Sequence, residues 1–295
     1  MAGPIDLSGI EALRARLRHL AEGSSGETDL AEAALILAAE HDSRVDIPAC
    51  LRRLDKWAGA AAPSVARAED TAGQARALIA AIHDKLGFEG NAVDYYDPRN
   101  SYFHRVLERR TGIPITMALV YLAIGRRLGI DVQGVGFPGH FLVTVAPEPR
   151  VIVDPFAGCV LTWEQCQERL TAALGPSAVL TGQHLAAATP REIVVRMLRN
   201  LKHIFVRTAT RDGAPAAEAA AADLNALACC DRILLLIPDD AAELRDRGFV
   251  HGRMGHATEA YADLERALQL APHADWAEAV RRGLPALRIL AGPLN

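Results

Sequence analysis

The chain has 295 residues, 50% hydrophobic and 23% charged, with a formal net charge of -4. That length holds two ordinary domains, and the composition excludes a disordered chain, because its apolar surface can offset the entropy cost of ordering. The mildly acidic balance supplies no electrostatic footprint for nucleic acid or an anionic membrane surface.

The N-terminal stretch MAGPIDLSGIEALRARLRHL alternates apolar with charged residues and lacks the apolar run of a signal peptide or membrane span, so a cytoplasmic protein with a flexible segment 1–28 is expected. Further on, Leu30, Ala34 and Leu37, then Ile47, Leu51 and Leu54, recur at the spacing of helices that bury one face, which makes 29–57 a helical lead-in. The run GAAAPS at 59–64 reads as a break, and 65–86 as one long helix stopped by Gly87. The segment GFEGNAVDYYDPRNSYF keeps no helical period and predicts irregular structure over the core.

Pro114 is placed to open a helix that runs through a nearly continuous apolar stretch, 117–124, and closes on Arg126, Arg127 and Gly129. Three short β-branched runs follow at 130–135, 140–146 and 150–153, separated by PG and PEP turns, and predict neighbouring antiparallel strands. A buried helix followed by a small sheet is an α+β arrangement. The polar segment TGQHLAAATP marks the end of that domain, expected to span 29–185, with helical repeats over 186–295. An amphipathic helix is predicted over 191–207, a linker over 211–217 and a final helix over 274–290. IPDD at Pro238 and APHAD at Pro272 stand 34 residues apart, the period of a tetratricopeptide unit. Within it, Leu244, Gly248, Gly255, Ala260, Leu264, Ala267 and Pro272 take the large, small, turn and stop positions, and Ala226 keeps the small position of the preceding unit. Small residues let paired helices approach, and such repeats build surfaces for a protein or peptide partner.

His140 in GHFLVTV and Asp154 in IVDPF fall on adjacent predicted strands, an arrangement that suits an imidazole oriented by a carboxylate. Thr116, in the first turn of its helix, and Cys159, five residues after Asp154 in the turn AGCV, are the candidate nucleophiles. A first-turn threonine can equally satisfy free helix amides, and Cys159 can equally be a loop thiol. His104 and Glu108 share a helix face and could join His140 or Asp154 around a metal, but no HExxH is present. The expectation is therefore no metal and no cofactor. His104 and Glu108 would tie the irregular segment to the helix, and Asn100 would cap its start. The five cysteines, Cys50, Cys159, Cys166, Cys229 and Cys230, form no CxxC pair and are expected as reduced thiols.

A helix opened by G-x-x-x-x-x-A, then GH with alternating apolar residues, then a strand ending in VDP, resembles the transglutaminase-like superfamily. The resemblance implies a papain-like Cys, His, Asp triad, with His140 and Asp154 at the second and third places. At the first place this chain has Pro114. Proline keeps the preset φ of a first helical position and supplies no reactive atom, whereas a cysteine there would gain thiolate character from the helix terminus. The run NSYFHRVLERRTGIPI, followed by GFPGHFLV and DPF, is similar more narrowly to bacterial SirB-type proteins, which join a transglutaminase-like domain to tetratricopeptide repeats. That resemblance implies no established activity; the absent cysteine together with repeats built for interaction predicts a non-catalytic protein-interaction or regulatory protein. The alternative is a hydrolase or acyl-transferase acting on amide bonds through His140 and Asp154 with a non-standard nucleophile.

Overall fold

The computed structural model describes residues 14, 15, 17–19 and 29–292. Most of the expected flexible segment 1–28 lies outside the described residues; 14, 15 and 17–19 are helical, with Leu17 fully buried. The chain divides into two compact units, Met1–Val194 and Val195–Asn295.

The first unit opens with three helices, each started by an aspartate whose carboxylate accepts from amides of the first turn. Asp29 caps α1 (Leu30–His41), Asp46 caps α2 (Ile47–Val65) and Asp70 caps α3 (Thr71–Ile79). The break expected at 59–64 is not there: α2 runs through it, because three alanines sustain the helix and Pro63 removes only one backbone hydrogen bond. The interruption comes at 66–70 instead, so the helix expected over 65–86 starts at Thr71. It ends in a π-helical turn, Ala80–Lys85, and at Gly87 with φ +69°.

A short strand β1 (Glu89–Gly90) precedes the irregular segment, which leads to α4 (Phe103–Arg109) and β2 (Thr111–Gly112), paired in parallel with β1. The predicted central helix is α5 (Pro114–Leu128), buried along most of its length and stopped by Gly129 at φ +69°. Strands β3 (Val132–Val135), β4 (Leu142–Val145), β5 (Val151–Asp154) and β6 (Cys159–Leu161) form an antiparallel sheet in that order. β6 was expected as a turn; its three residues carry too short an alternation to read as a strand. β4 is buried throughout. A Cβ on Gly125 of α5 would collide with Val132, which places α5 against the sheet. Val135, Phe137, Leu142 and Leu161 form a further core with Cys166 and Leu170 of α6 (Trp163–Leu174). The segment 181–188 does not end the domain at 185, because Ala187 bridges Val135 and Ala188 N–H donates to Gly134 at 2.8 Å.

α7 (Pro190–Ala209) leads to α8 (Ala216–Leu236), α9 (Ala241–Arg253), α10 (Ala257–Leu270) and α11 (Ala277–Ala291). The repeat positions behave as the spacing predicts. Gly255 turns the chain between α9 and α10 at φ +79°, and Ala226, Ala260 and Ala267 are fully buried. Arg247 of α9 holds three helices together, donating to Asp263 of α10 through two 2.7 Å bonds and to Asp231 of α8 at 2.9 Å. A Cβ on Gly248 would stand 2.7 Å from Leu264 Cγ and 3.3 Å from the Ala260 carbonyl. Gly248→Val is accordingly expected to destabilise the protein by about 1–3 kcal/mol, read by urea unfolding. Unchanged stability would mean that α9 and α10 approach less closely than described. No helix of the described residues is long and apolar enough to cross a membrane.

Candidate functional site

Antiparallel pairing of Val143 with Val153 sets the turn before β4 beside the end of β5. Gly139, at φ +70°, closes that turn, and His140 N–H donates back to Phe137 at 3.0 Å. His140 therefore precedes its strand, and its Nε2 meets Asp154 Oδ1 at 2.9 Å. The side chain of His140 stays 21% exposed while that of Asp154 is 3% exposed, so the pair offers the imidazole to a ligand and hides the carboxylate.

Asp154 has no free oxygen. Oδ1 also accepts from the amides of Phe156 at 3.0 Å and Ala157 at 3.1 Å, and Oδ2 accepts from Arg169 Nη2 at 2.8 Å. Burial raises its pKa, but the His140 bond and charge, the Ala157 amide and Arg169 outweigh burial and hold the carboxyl at about 2. The Phe156 ring stands edge-on to His140 with centroids 6.2 Å apart, and packs so closely on Gly90 that a Cβ there would lie 2.5 Å from it. Gly90 pairs with Gly112, just ahead of Pro114. The contacts His140–Phe156–Gly90–Gly112 thus link the dyad to the opening of α5.

The candidate nucleophiles fare differently. Pro114 is the first residue of α5 and is buried. Thr116 is fully buried, donates to the Asn100 carbonyl at 2.7 Å and accepts from Ile113 N–H at 3.0 Å, which commits its hydroxyl to the start of the helix. Cys159 lies opposite Asp154 in the β5–β6 register, where partial desolvation and the Asp154 charge push its thiol up, away from a thiolate.

Asn100 does not cap α4, whose first residue is Phe103. It is fully buried, donates to the Asp94 carbonyl at 2.7 Å, and its Oδ1 accepts from Asn91 and Arg109, both at 3.2 Å. It staples the irregular segment instead. Nor do His104 and Glu108 make that connection. Glu108 pairs with Arg105 at 2.9 Å within α4, and neither ring nitrogen of the buried His104 has a hydrogen-bond partner. Among the described residues no three His, Cys, Asp or Glu side chains gather as metal ligands.

Sequence reasoning missed Arg169, His83 and Tyr121. Arg169 comes from α6, and only folding brings it to Asp154. His83 lies under Gly158, where a Cβ would be 2.8 Å from its ring, and burial pulls its pKa down. Tyr121 of α5 is fully buried, its ring centroid 6.0 Å from that of His83 and its hydroxyl unpartnered. Burial, and then the Asp154 charge, push its pKa up.

Residues 48–199 match the transglutaminase-like superfamily and residues 216–285 match a tetratricopeptide repeat. Fold and site together define a transglutaminase-like protein with helical repeats. A UPF0162 protein of Xylella fastidiosa (strain Temecula1) is 42% identical over 205 residues, 68% of this chain and 69% of the relative. One from Vibrio cholerae is 30% identical over 213 residues, 72% and 74% of the two chains. The chain belongs to the UPF0162 family. Human F-box only protein 21 is 38% identical over 135 residues, 41% of this chain and 20% of that protein.

Proposed function

We propose that this UPF0162 member is a cytoplasmic, non-catalytic interaction protein of the SirB type, in which the His140–Asp154 site serves recognition and the repeats dock a protein or peptide. The observation that carries this reading is the fate of the hydroxyl nearest the family's nucleophile position. Thr116 spends its hydrogen-bonding capacity on Asn100 and Ile113, and Pro114 brings no reactive atom. Support for docking comes from an apolar groove of about 440 Å³ lined by Phe249, Leu264, Val280 and Leu287, on helices of the repeat region. The segment shared with F-box only protein 21 forms a fifth of that protein, which fits a module joined to different neighbours.

A second reading, amide hydrolysis by a water that His140 activates, draws on the partial exposure of the imidazole. The two are separated by assaying amide hydrolysis and amine incorporation on a peptide library with the wild-type protein and His140→Ala. That variant leaves Asp154 its amide and Arg169 partners and so should keep the fold. The expected result is no turnover above the His140→Ala background. Turnover by the wild type that a folded His140→Ala lacks would replace the proposal with the hydrolase.

A further inference from the structure

α2 and α4 of the first unit enclose a pocket of about 470 Å³ that shares no residue with the His140 site. Arg52, Arg53 and Lys56 line it from one flank of α2, Arg110 from the end of α4, and Trp57 and Leu107 supply apolar wall. Among the described residues none of these four cations has a hydrogen bond or ion pair from its side chain. Glu108 is the single acid of the lining and is engaged by Arg105 at 2.9 Å.

A second pocket, of about 340 Å³, adjoins the first and shares Ala49, Arg53 and Glu108 with it. His104 lines it, 6% exposed, with both ring nitrogens unpartnered. Its acids are already occupied: Asp42 binds Arg44 at 2.8 Å, and Asp46 accepts from the Ala49 amide at 2.8 Å. A buried imidazole without a partner is unfavourable unless something else completes its hydrogen bonds. The two pockets thus combine uncompensated positive charge with a buried polar group aimed into the same space.

We infer that they form one binding site for a phosphorylated small molecule, its phosphate held by Arg52, Arg53, Lys56 and Arg110 and its polar body reaching His104. Across both pockets the lining carries Arg44, Arg52, Arg53, Lys56, Arg105 and Arg110 against Asp42, Asp46 and Glu108, and the four unpaired cations stand in the first pocket with Glu108 alone, a balance that suits a dianion, while guanidinium forks match phosphate oxygens. The combined volume is that of a small-molecule site. A nucleic acid would need a basic stripe, and this chain carries a net charge of -4 with these four cations set in one concavity.

The test is isothermal titration of the full chain at constant ionic strength with inorganic pyrophosphate, adenosine monophosphate, a single-stranded RNA, a phosphopeptide and, as the phosphate-free control, adenosine. It is repeated on Arg53→Gln/Lys56→Gln, whose changed side chains are exposed and should leave the fold intact. Saturable binding of pyrophosphate or adenosine monophosphate is expected, none of adenosine, and a loss of about 10-fold or more for each cation removed. The His104 ring resonances should shift with adenosine monophosphate. Absence of saturable binding by both phosphates, affinity unchanged in the double variant, or binding confined to single-stranded RNA or a phosphopeptide would overturn the assignment. Binding that leaves His104 unmoved would reject its part in the site.

Discussion

Lys202→Met is expected to lower stability by about 3–5 kcal/mol, because it removes the hydrogen-bonded cation of a buried carboxylate and leaves it Arg199 at 3.7 Å as counter-charge. Lys202 of α7 is 8% exposed and Glu243 of α9 1% exposed. The ammonium donates to both Glu243 oxygens at 2.8 Å and to Asp246 at 2.6 Å. Burial pulls the Lys202 pKa down, but the charges and hydrogen bonds of Glu243 and Asp246 outweigh it and the pKa ends above its ordinary value. With the folded value raised, this contribution is fully present below the ordinary lysine value and fades as pH rises beyond it. Urea unfolding followed by circular dichroism gives the loss, and Lys202→Met/Glu243→Met should recover much of it, since a hydrophobic pair removes the stranded charge. A single-variant loss below about 1 kcal/mol would place the cluster among ordinary surface ion pairs.

Asp154→Ala is expected to cost about 3 kcal/mol, leaving two amides, His140 and Arg169 without their partner, with the His140 and Arg169 shares reduced by partial exposure. The carboxyl is held at about 2, below its ordinary 3.8, so its contribution is complete above 3.8 and is lost as pH falls through about 2. Thermal melts at stepped pH should therefore show the gap between wild type and Asp154→Ala narrowing over that acid interval. A gap that stays constant down to the lowest pH would mean that the folded carboxyl is not the source.

Local patterns decided what could be read in advance. Pro114 and Gly129 bracket α5 because start and stop chemistry is local, and the spacing of Pro238 and Pro272 gave the repeat because each unit repeats the same packing problem. His140 and Asp154 could be paired because two short strands with a tight connection leave one register. Arg169 could not, since nothing within a turn of it refers to Asp154. The same holds for Asn100, whose partners at Asn91, Asp94 and Arg109 are set by how the irregular segment folds over α4. At 59–64 the run GAAAPS reads as a break, while the helix propensity of its alanines keeps Pro63 inside α2. Short strands such as β6 and the β1–β2 pair escape notice because two or three residues define no period.

The saturation of Asp154 bears on how kinship should be interpreted. Two of its contacts close the β5–β6 corner and the other two tie that corner to His140 and to Arg169 of α6, whether or not a nucleophile stands at the head of α5. A lineage could thus exchange its cysteine for proline while selection for folding kept the aspartate in place. In a relative, a preserved His–Asp pair would then testify to architecture and would not by itself mark a catalyst.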